Sequence, residues 1–540
     1  MADTPAIDNL KDKTEITGNN STNAYDAVPY ASFPYPYSSH ERMHTIGKLF
    51  GMQPVDYKKA RVLELGCASG GNILPLASQY PDSEFTGVDS SRVQIDMAIA
   101  HVRNLGLKNI EFRHQSIMDI TEDLGQFDYI ITHGILSWVP MEVQDKILSV
   151  CNNNLTDNGI AYISYNTYPG WNFVKSLRDM MLYHTANFSD PARKVTEAAN
   201  LLEFIRKANP DAENYPYLQV ITNELKMLEK VNPSYLYHDH LEVHNEPYYF
   251  HEFMHKARTH SLQYLGEVSL SSMFLGNLAA EAAKTLGQIA NDIVRVEQYM
   301  DFIRNRRFRC TLLVHNNVNI NRNLNPNMLQ GFYLTTSLRS EATQEIMNLS
   351  SRQKITFTIP DSKASFTTDS MVIITALNLL IQQGNKPIAT GDFMHLVREQ
   401  LRDKLDPAQE NMILTNFLRL VLADAISIHS SAGNFTNKVS QLPMASTYAR
   451  YQATNNIWIT NQKFEKVDID LFTRILLQYL DGKNDFDVIY TKMLSHFVRN
   501  ELQMNESGRQ IQDQNEIGRR LKSLIDNYLH NFAARAILVS

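Results

Sequence analysis

VLELGCASGGN (residues 62–72) opens as an apolar strand and closes where a helical pattern begins, and that junction decides the fold. Gly66 and Gly70 carry no Cβ, so the chain can turn tightly and bring its backbone close to a ligand, with the amides at the helix start pointing into the same space. The spacing is ExGxxxG and not the GxGxxG dinucleotide fingerprint, and it puts Glu64 at the strand end. Working outward, RVLELG (61–66), EFTGVD (84–89), NIEFRHQS (109–116), FDYIITHG (127–134) and GIAYISYN (159–166) read as buried strands with helical patterns between most of them. Such alternation predicts an α/β, doubly wound parallel sheet with helices on both faces. In the crossover between 89 and 109, Val93, Met97 and Ala100, with Ile99 beside them, fall on one helical face.

Open sheets of this kind collect ligands at the carboxyl edge of their strands. Asp89 closes the second strand, about 20 positions after Gly66, where a carboxylate accepts hydrogen bonds from both ribose hydroxyls. The third strand ends at Gln115-Ser116-Ile117, placed for an adenine edge and face, and the fourth at His133-Gly134. Gly66 and Gly70 alone fit mere packing geometry or a dinucleotide equally well. Together with Glu64, Asp89 and five alternating strands they point to S-adenosylmethionine, whose methionine ammonium would lie near Glu64. Cys67 reads as a small packed residue, because nothing nearby in sequence would activate it as a nucleophile.

The 540 residues exceed what one core can organise, so three or four domains are expected. With 43% hydrophobic and 20% charged residues the composition is that of a soluble globular protein. A net charge of −7 and the lack of a long basic run argue against a nucleic-acid partner. Cys67, Cys151 and Cys310 form no CxxC pair, which suits a reducing compartment. There is no signal-like n- and h-region and no apolar run of about 18 residues, so a cytoplasmic protein without membrane insertion is expected.

Residues 1–24 are polar enough to read as disordered. From Tyr25 the chain carries four tyrosines and three prolines before a helical pattern on Met43, Ile46, Leu49 and Phe50. Such a proline-restricted, aromatic stretch is placed to pack over the following domain and cover a pocket. The cofactor domain is read as 25–170, completed by strands near 261–268 (SLQYLGEV) and 306–315 (RRFRCTLLVH), the second antiparallel, with 171–250 as a helical insertion. The alternative is a sheet that ends near 170. A mixed middle domain (318–430) and a largely helical C-terminal domain (431–540) follow. Within the middle domain, the helix, Gly-Asn turn and second helix from Met371 suit a winged-helix-like or small bundle unit, and few Lys or Arg in 371–400 favour protein docking over DNA.

HDHLEVHNEPYYFHEFMH (238–255) gathers His238, His240, His244, His251 and His255 with Asp239, Glu242 and Glu252. His251 and His255 have a usable ligand spacing, but no third ligand is identifiable, so structural histidines and no metal are expected.

The segment 61–134 resembles the cofactor half of class I methyltransferases. ASFPYPYSSHERMHTIGKLFGM, THGILSWVP (132–140), SYNTYPGW (164–171), YLYHDHLEVHNEPYYFHEFMHKARTHSLQYLGEV (235–268) and RRFRCTLLVH resemble bacterial methyltransferases with a regulatory domain after the catalytic core. Within that group the chain is most similar to the rickettsial protein-lysine methyltransferases that modify outer-membrane protein B. The resemblance implies a homodimer, with 171–250 as the dimerisation domain, and an open cavity that admits a protein substrate. It assigns cofactor contacts to Glu64, Gly66, Cys67, Ala68, Gly70, Asp89, Ser90, Gln115, Ser116, Ile117 and His133. Many relatives have an acidic residue where Ser116 stands, a role that backbone groups or Asp119 would take here.

Methyl transfer to lysine needs a neutral amine, whose ordinary pKa near 10.4 must be overcome by proton removal or burial. Aromatic walls serve both burial and the cationic sulfonium. Tyr165 and Trp138 are therefore expected to line the acceptor channel, with His133 or Tyr165 orienting the amine or accepting its proton. Trp138 and Trp171 fit equally as core or interface anchors. Competing functions are a methyltransferase of a small metabolite or nucleic acid, and a catalytically inactive cofactor-binding regulator.

Overall fold

The computed structural model describes residues 32–540, except 210–214, 229–239, 243, 341–353, 361–363, 403–404, 507–508 and 512. The expected disorder of 1–24 falls outside the described residues, as do His238 and Asp239 of the histidine cluster.

Seven strands form one sheet: β1 (Arg61–Leu65), β2 (Glu84–Asp89), β3 (Ile110–His114), β4 (Phe127–Thr132), β5 (Leu155–Asn166), β6 (Leu262–Glu267) and β7 (Phe308–His315). Their order is β3-β2-β1-β4-β5-β7-β6. β1 to β5 pair in parallel, and β7 lies antiparallel between β5 and β6. The order reverses direction at β1, so a crevice opens outside its carboxyl end, where β2 and β4 diverge. The chain is therefore an α/β protein with a Rossmann-like methyltransferase sheet.

Apolar residues crowd both faces of the central strands. Val62, Tyr129, Ile131, Ile160 and Tyr162 are buried on one side, and Leu63, Leu65, Ile130, Ile163 and Tyr165 on the other. On the first side helix His40–Leu49, capped by Ser39, buries Met43, Ile46 and Leu49 completely and joins the sheet core to that of the middle region. Helices Met371–Gln382, Thr390–Leu401 and Pro407–Val421 supply the rest of that core. Helices Trp171–Thr185, Pro191–Lys207 and Pro216–Leu228, inserted between β5 and β6, have a separate core around Leu177, Met181, Leu202 and Ile221. The last hundred residues pack on another, built on Ala449, Leu476, Ile489, Leu521 and Ile525. Among the described residues no helix is long and apolar enough to cross a membrane.

The helix between β2 and β3 spans Arg92–Leu105, but its buried face is Gln94, Ile95 and Ala98. Val93 and Met97 are exposed at 40% and 44%. Helical spacing identifies a stripe without saying which stripe meets the sheet, and Ser91, capping Gln94 N, sets the phase. The histidines of 238–255 also separate: His240 bonds Glu224 at 2.9 Å and His251 bonds Gln298 at 2.9 Å.

Beneath β5 to β7 lies a buried ionic cluster. The Arg309 guanidinium donates to Glu267 (2.6 Å), Glu297 (3.0 Å) and both oxygens of Asp301 (2.9 Å each), 3.8 Å from the centroid of the Phe250 ring. Arg306 adds a bond to Asp301 at 3.1 Å. Removing one partner of such a cluster strands desolvated charges. We expect Arg309→Met to lower stability by about 3–5 kcal/mol in denaturant unfolding, whereas Arg92→Ala, which breaks the exposed pair with Asp96, shifts it by less than about 0.5 kcal/mol. Equal effects would show that the cluster does not carry the load assigned to it.

Candidate active site

β1 ends at Leu65 and the chain turns at once. Gly66 has φ +69°, Ala68 φ +47° and Gly70 φ +81°, a left-handed series that glycine adopts without strain. At Gly66 a Cβ would meet the Ile135 side chain at 2.4 Å, so this glycine makes room for the loop after β4 and not only for a ligand. The helix Ile73–Gln79 then follows, starting beside the carboxyl end of β1.

Glu64, one residue before the strand end, is 3% exposed. Asn72 donates from Nδ2 to Glu64 Oε1 at 2.7 Å, while Glu64 Oε2 is buried with no partner. Burial, with a smaller contribution from nearby Asp89, pushes this carboxyl up to about 8. A desolvated acid with one oxygen unanswered is suited to an ammonium group, which would restore the missing partner and the charge balance together. Asp89 differs: its two oxygens accept from Ala68 N and Ser91 N, both at 2.8 Å, so the backbone fixes its orientation. Cys67 is buried between these carboxylates, and burial raises its thiol well above its usual range, which makes it a packing residue.

The third-strand residues stand beside Asp89. Gln115 N donates to the Asp89 carbonyl at 3.0 Å. Ser116 caps the short turn Ile117–Asp119, its hydroxyl accepting from Met118 N at 3.2 Å. Ser90 is exposed at the end of β2, its carbonyl 3.0 Å from His114 Nε2. Glu64, the 66–70 turn, Asp89, Ser90 and 115–117 thus stand at the carboxyl ends of β1, β2 and β3, with His133 at the end of β4.

His133 is held among aromatic rings. Tyr35 lies over it with centroids 3.7 Å apart, Tyr162 stacks at 5.9 Å and Phe308 meets it edge-on at 6.2 Å. Its Nδ1 is 2.8 Å from the Tyr162 hydroxyl. Burial lowers its pKa to about 4, so the ring is neutral at physiological pH.

Two expected channel residues lie elsewhere. Tyr165 is 1% exposed, its hydroxyl 3.2 Å from Thr311 Oγ1 and its ring 4.2 Å from Phe253, on the face of β5 that covers the ionic cluster. The acceptor-lining role expected for it is thus corrected, because its phenol is enclosed in the core. Trp138 packs edge-on against Trp171 at 6.1 Å with the Arg178 guanidinium 5.2 Å from its ring, the geometry of an anchor between the sheet and the inserted helices.

The residues that do reach the site include several that sequence reasoning passes over. Ser32 to Ser39 form a strap across the glycine turn: Gly71 N donates to Ser32 Oγ (2.7 Å) and Tyr35 N to Asn72 Oδ1 (2.9 Å). Asn72 therefore holds Glu64 with one end and the strap with the other. The aromatic and proline content of 25–37 signals such a cover; nothing in the sequence signals Asn72 or Tyr162.

Three family models match in succession: a methyltransferase domain over 56–219, a predicted methyltransferase regulatory domain over 232–315, and the C-terminal winged helix domain of PKMT over 442–537. The last falls beyond the helix pair that begins at Met371. An uncharacterised protein of Rickettsia prowazekii (strain Madrid E) is 41% identical over 96% of this chain and 94% of its own length. The structure of PKMT2 from Rickettsia typhi in complex with AdoHcy superposes with a TM-score of 0.87 at 33% identity, covering 95% of this chain and 100% of the other. A second structure of PKMT2 from Rickettsia typhi superposes with a TM-score of 0.85 at the same identity and coverage.

A Cβ on Gly71 would lie 2.3 Å from the Ser32 carbonyl oxygen. Gly71→Ala should therefore detach the strap at a cost of about 1–3 kcal/mol, read as roughly tenfold or faster hydrogen exchange in the peptide spanning Ser32–Ser38. Unchanged protection there would show that the strap does not depend on this contact.

Proposed function

Because the chain belongs to the class I S-adenosylmethionine-dependent methyltransferases, in the group of the rickettsial protein-lysine methyltransferases, we propose that it methylates lysines of a bacterial outer-membrane protein of the outer-membrane protein B type. The observation that carries the protein-lysine methyltransferase part of this reading is the end-to-end likeness to PKMT2, which extends through the inserted, middle and C-terminal regions; the outer-membrane acceptor rests on the sequence resemblance. A small metabolite would need no such accessory mass. A net charge of −7 disfavours a nucleic-acid acceptor.

The cofactor supplies an electrophilic methyl group on a sulfonium. In our reading Glu64 takes the ammonium at its unpartnered oxygen, and Asp89, fixed by Ala68 N and Ser91 N, takes ribose hydroxyls. Gly66, Cys67, Ala68 and Gly70 shape the turn against the ligand, while Ser90, Gln115, Ser116 and Ile117 border the adenine end. His133, with Tyr35 and Phe308, walls the side from which the acceptor arrives. These rings exclude water, which disfavours the charged form of an entering lysine and so assists loss of its proton. Neutral His133 accepts a hydrogen bond from the amine and orients it.

We further propose a homodimer formed through the inserted helices. Tyr183 and Phe204, 88% and 67% exposed there, offer aromatic surface for such an interface. The three unpaired cysteines suit a reducing, cytoplasmic location.

Labelled S-adenosylmethionine incubated with the enzyme and separated candidate acceptors tests the substrate. Mass mapping should find methyl groups on lysines of the outer-membrane protein; label confined to RNA or small molecules would overturn the assignment. The cofactor site has its own test. With a carboxyl near 8, about nine in ten Glu64 side chains are protonated at pH 7. A bound ammonium favours the carboxylate, so S-adenosylhomocysteine binding should release close to one proton at pH 7 and almost none above pH 9, with affinity rising towards pH 8. Calorimetry in buffers of different ionisation enthalpy measures this. Glu64→Gln should abolish the release and weaken binding roughly 10- to 100-fold.

A further inference from the structure

β5 and β7 run antiparallel with Ser164 opposite Cys310 and Asn166 opposite Phe308. This register brings three groups of unlike chemistry into line behind the acceptor wall. The Tyr162 hydroxyl is 2.8 Å from His133 Nδ1 and 3.1 Å from Cys310 Sγ, to which it donates. Tyr162 is fully buried and its ring is nearly parallel to the imidazole, at 22°.

We propose that Tyr162 is a positioning residue which, by donating its hydroxyl hydrogen bond to Cys310 Sγ, holds His133 in the tautomer protonated at Nδ1 and leaves the Nε2 lone pair facing the site. A phenol has one proton. If it is directed to Cys310 Sγ, the phenol oxygen can only accept from His133, and that requires the hydrogen on Nδ1. The opposite arrangement would place an N–H donor at Nε2, which has no hydrogen-bond partner among the described residues. Burial keeps every member in its neutral form: it raises Tyr162 well above its usual range, brings Cys310 up to about 12, and lowers His133.

The consequence for the reaction rests on the reading that His133 faces the acceptor. A fixed Nε2 lone pair accepts one N–H of a neutral lysine amine and thereby directs the amine's own lone pair away from the imidazole. Tyr35, stacked at 3.7 Å, and Phe308, edge-on at 6.2 Å, restrict the ring to one plane, so the tautomer is the variable that Tyr162 controls. Cys310 acts here only as a hydrogen-bond acceptor, with its backbone amide held by Glu267 Oε2 at 3.1 Å.

The tautomer is read directly from long-range nitrogen–proton correlations of the imidazoles in the full-length protein labelled with nitrogen-15 histidine, the His133 signals being identified by their loss in His133→Gln. The wild type should show His133 protonated at Nδ1. Cys310→Ala removes the acceptor, which should let the Tyr162 proton turn to Nδ1 and switch His133 to the Nε2-protonated form while other histidines stay unchanged. Tyr162→Phe should give a mixture of tautomers and lower kcat for methyl transfer roughly tenfold or more, with S-adenosylhomocysteine affinity kept within about twofold. Nε2-protonated His133 in the wild type, or a pattern indifferent to both substitutions, would overturn the proposal. Absence of S-adenosylhomocysteine binding in the wild type would instead count against the cofactor reading, and the nitrogen spectra separate the two.

Discussion

A single carboxylate oxygen, Glu64 Oε2, is buried at the end of β1 with nothing inside the protein to answer it. Leaving such a group uncompensated costs more than most polar contacts return, and this one stands at the strand where the sheet order reverses. β2 and β4 part there, so the group that completes Glu64 can enter from the crevice. Asn72 answers the other oxygen and also receives the strap through Tyr35 N. The donor site and its cover are therefore tied to one side chain, and whatever sits against Glu64 is felt by the strap within two hydrogen bonds.

The parallel half of the sheet is legible in the sequence because its strands are short apolar runs bounded by turn residues and separated by helical patterns. Glu64, Asp89 and the glycine spacing are legible because their chemistry is local to strand ends. Tyr165 is misread for a physical reason. β5 is buried on both faces, so no polar side marks which residues look toward the ligand edge. The face is chosen by partners remote in sequence: Thr311 and Arg309 on β7, with Glu267, Glu297 and Asp301 around them. Tyr162, three residues earlier, takes the site side, and its partner Cys310 is equally remote. The stripe on the helix Arg92–Leu105 misleads in the same way. His101 and Asn104 there bond Tyr451 of the C-terminal region, a contact that no local pattern encodes.

The strap lies between these extremes. Two prolines and two tyrosines in 32–37 limit its conformations and give it apolar surface, so that it packs somewhere is readable. Its target is not, because the contacts that seat it are backbone to side chain: Gly71 N to Ser32 Oγ and Tyr35 N to Asn72 Oδ1. Such bonds use residue types too common in loops to stand out.

β5 and β7 are where the two demands on this fold meet. On one face, Tyr165, Arg309 and Thr311 are locked into the ionic cluster; on the other, Tyr162 and Cys310 hold His133. Side chains alternate along a strand, so a slip of one residue in the pairing would exchange these faces, burying the hydroxyl relay in the ionic core and turning charged groups toward the acceptor. The Arg309 cluster contributes little net stability relative to an apolar core of the same volume. The register in which it forms sets Tyr165 opposite Arg309, Ser164 opposite Cys310 and Asn166 opposite Phe308. The residues that hold His133 and those that build the ionic cluster thus share two strands and a single pairing, on opposite faces.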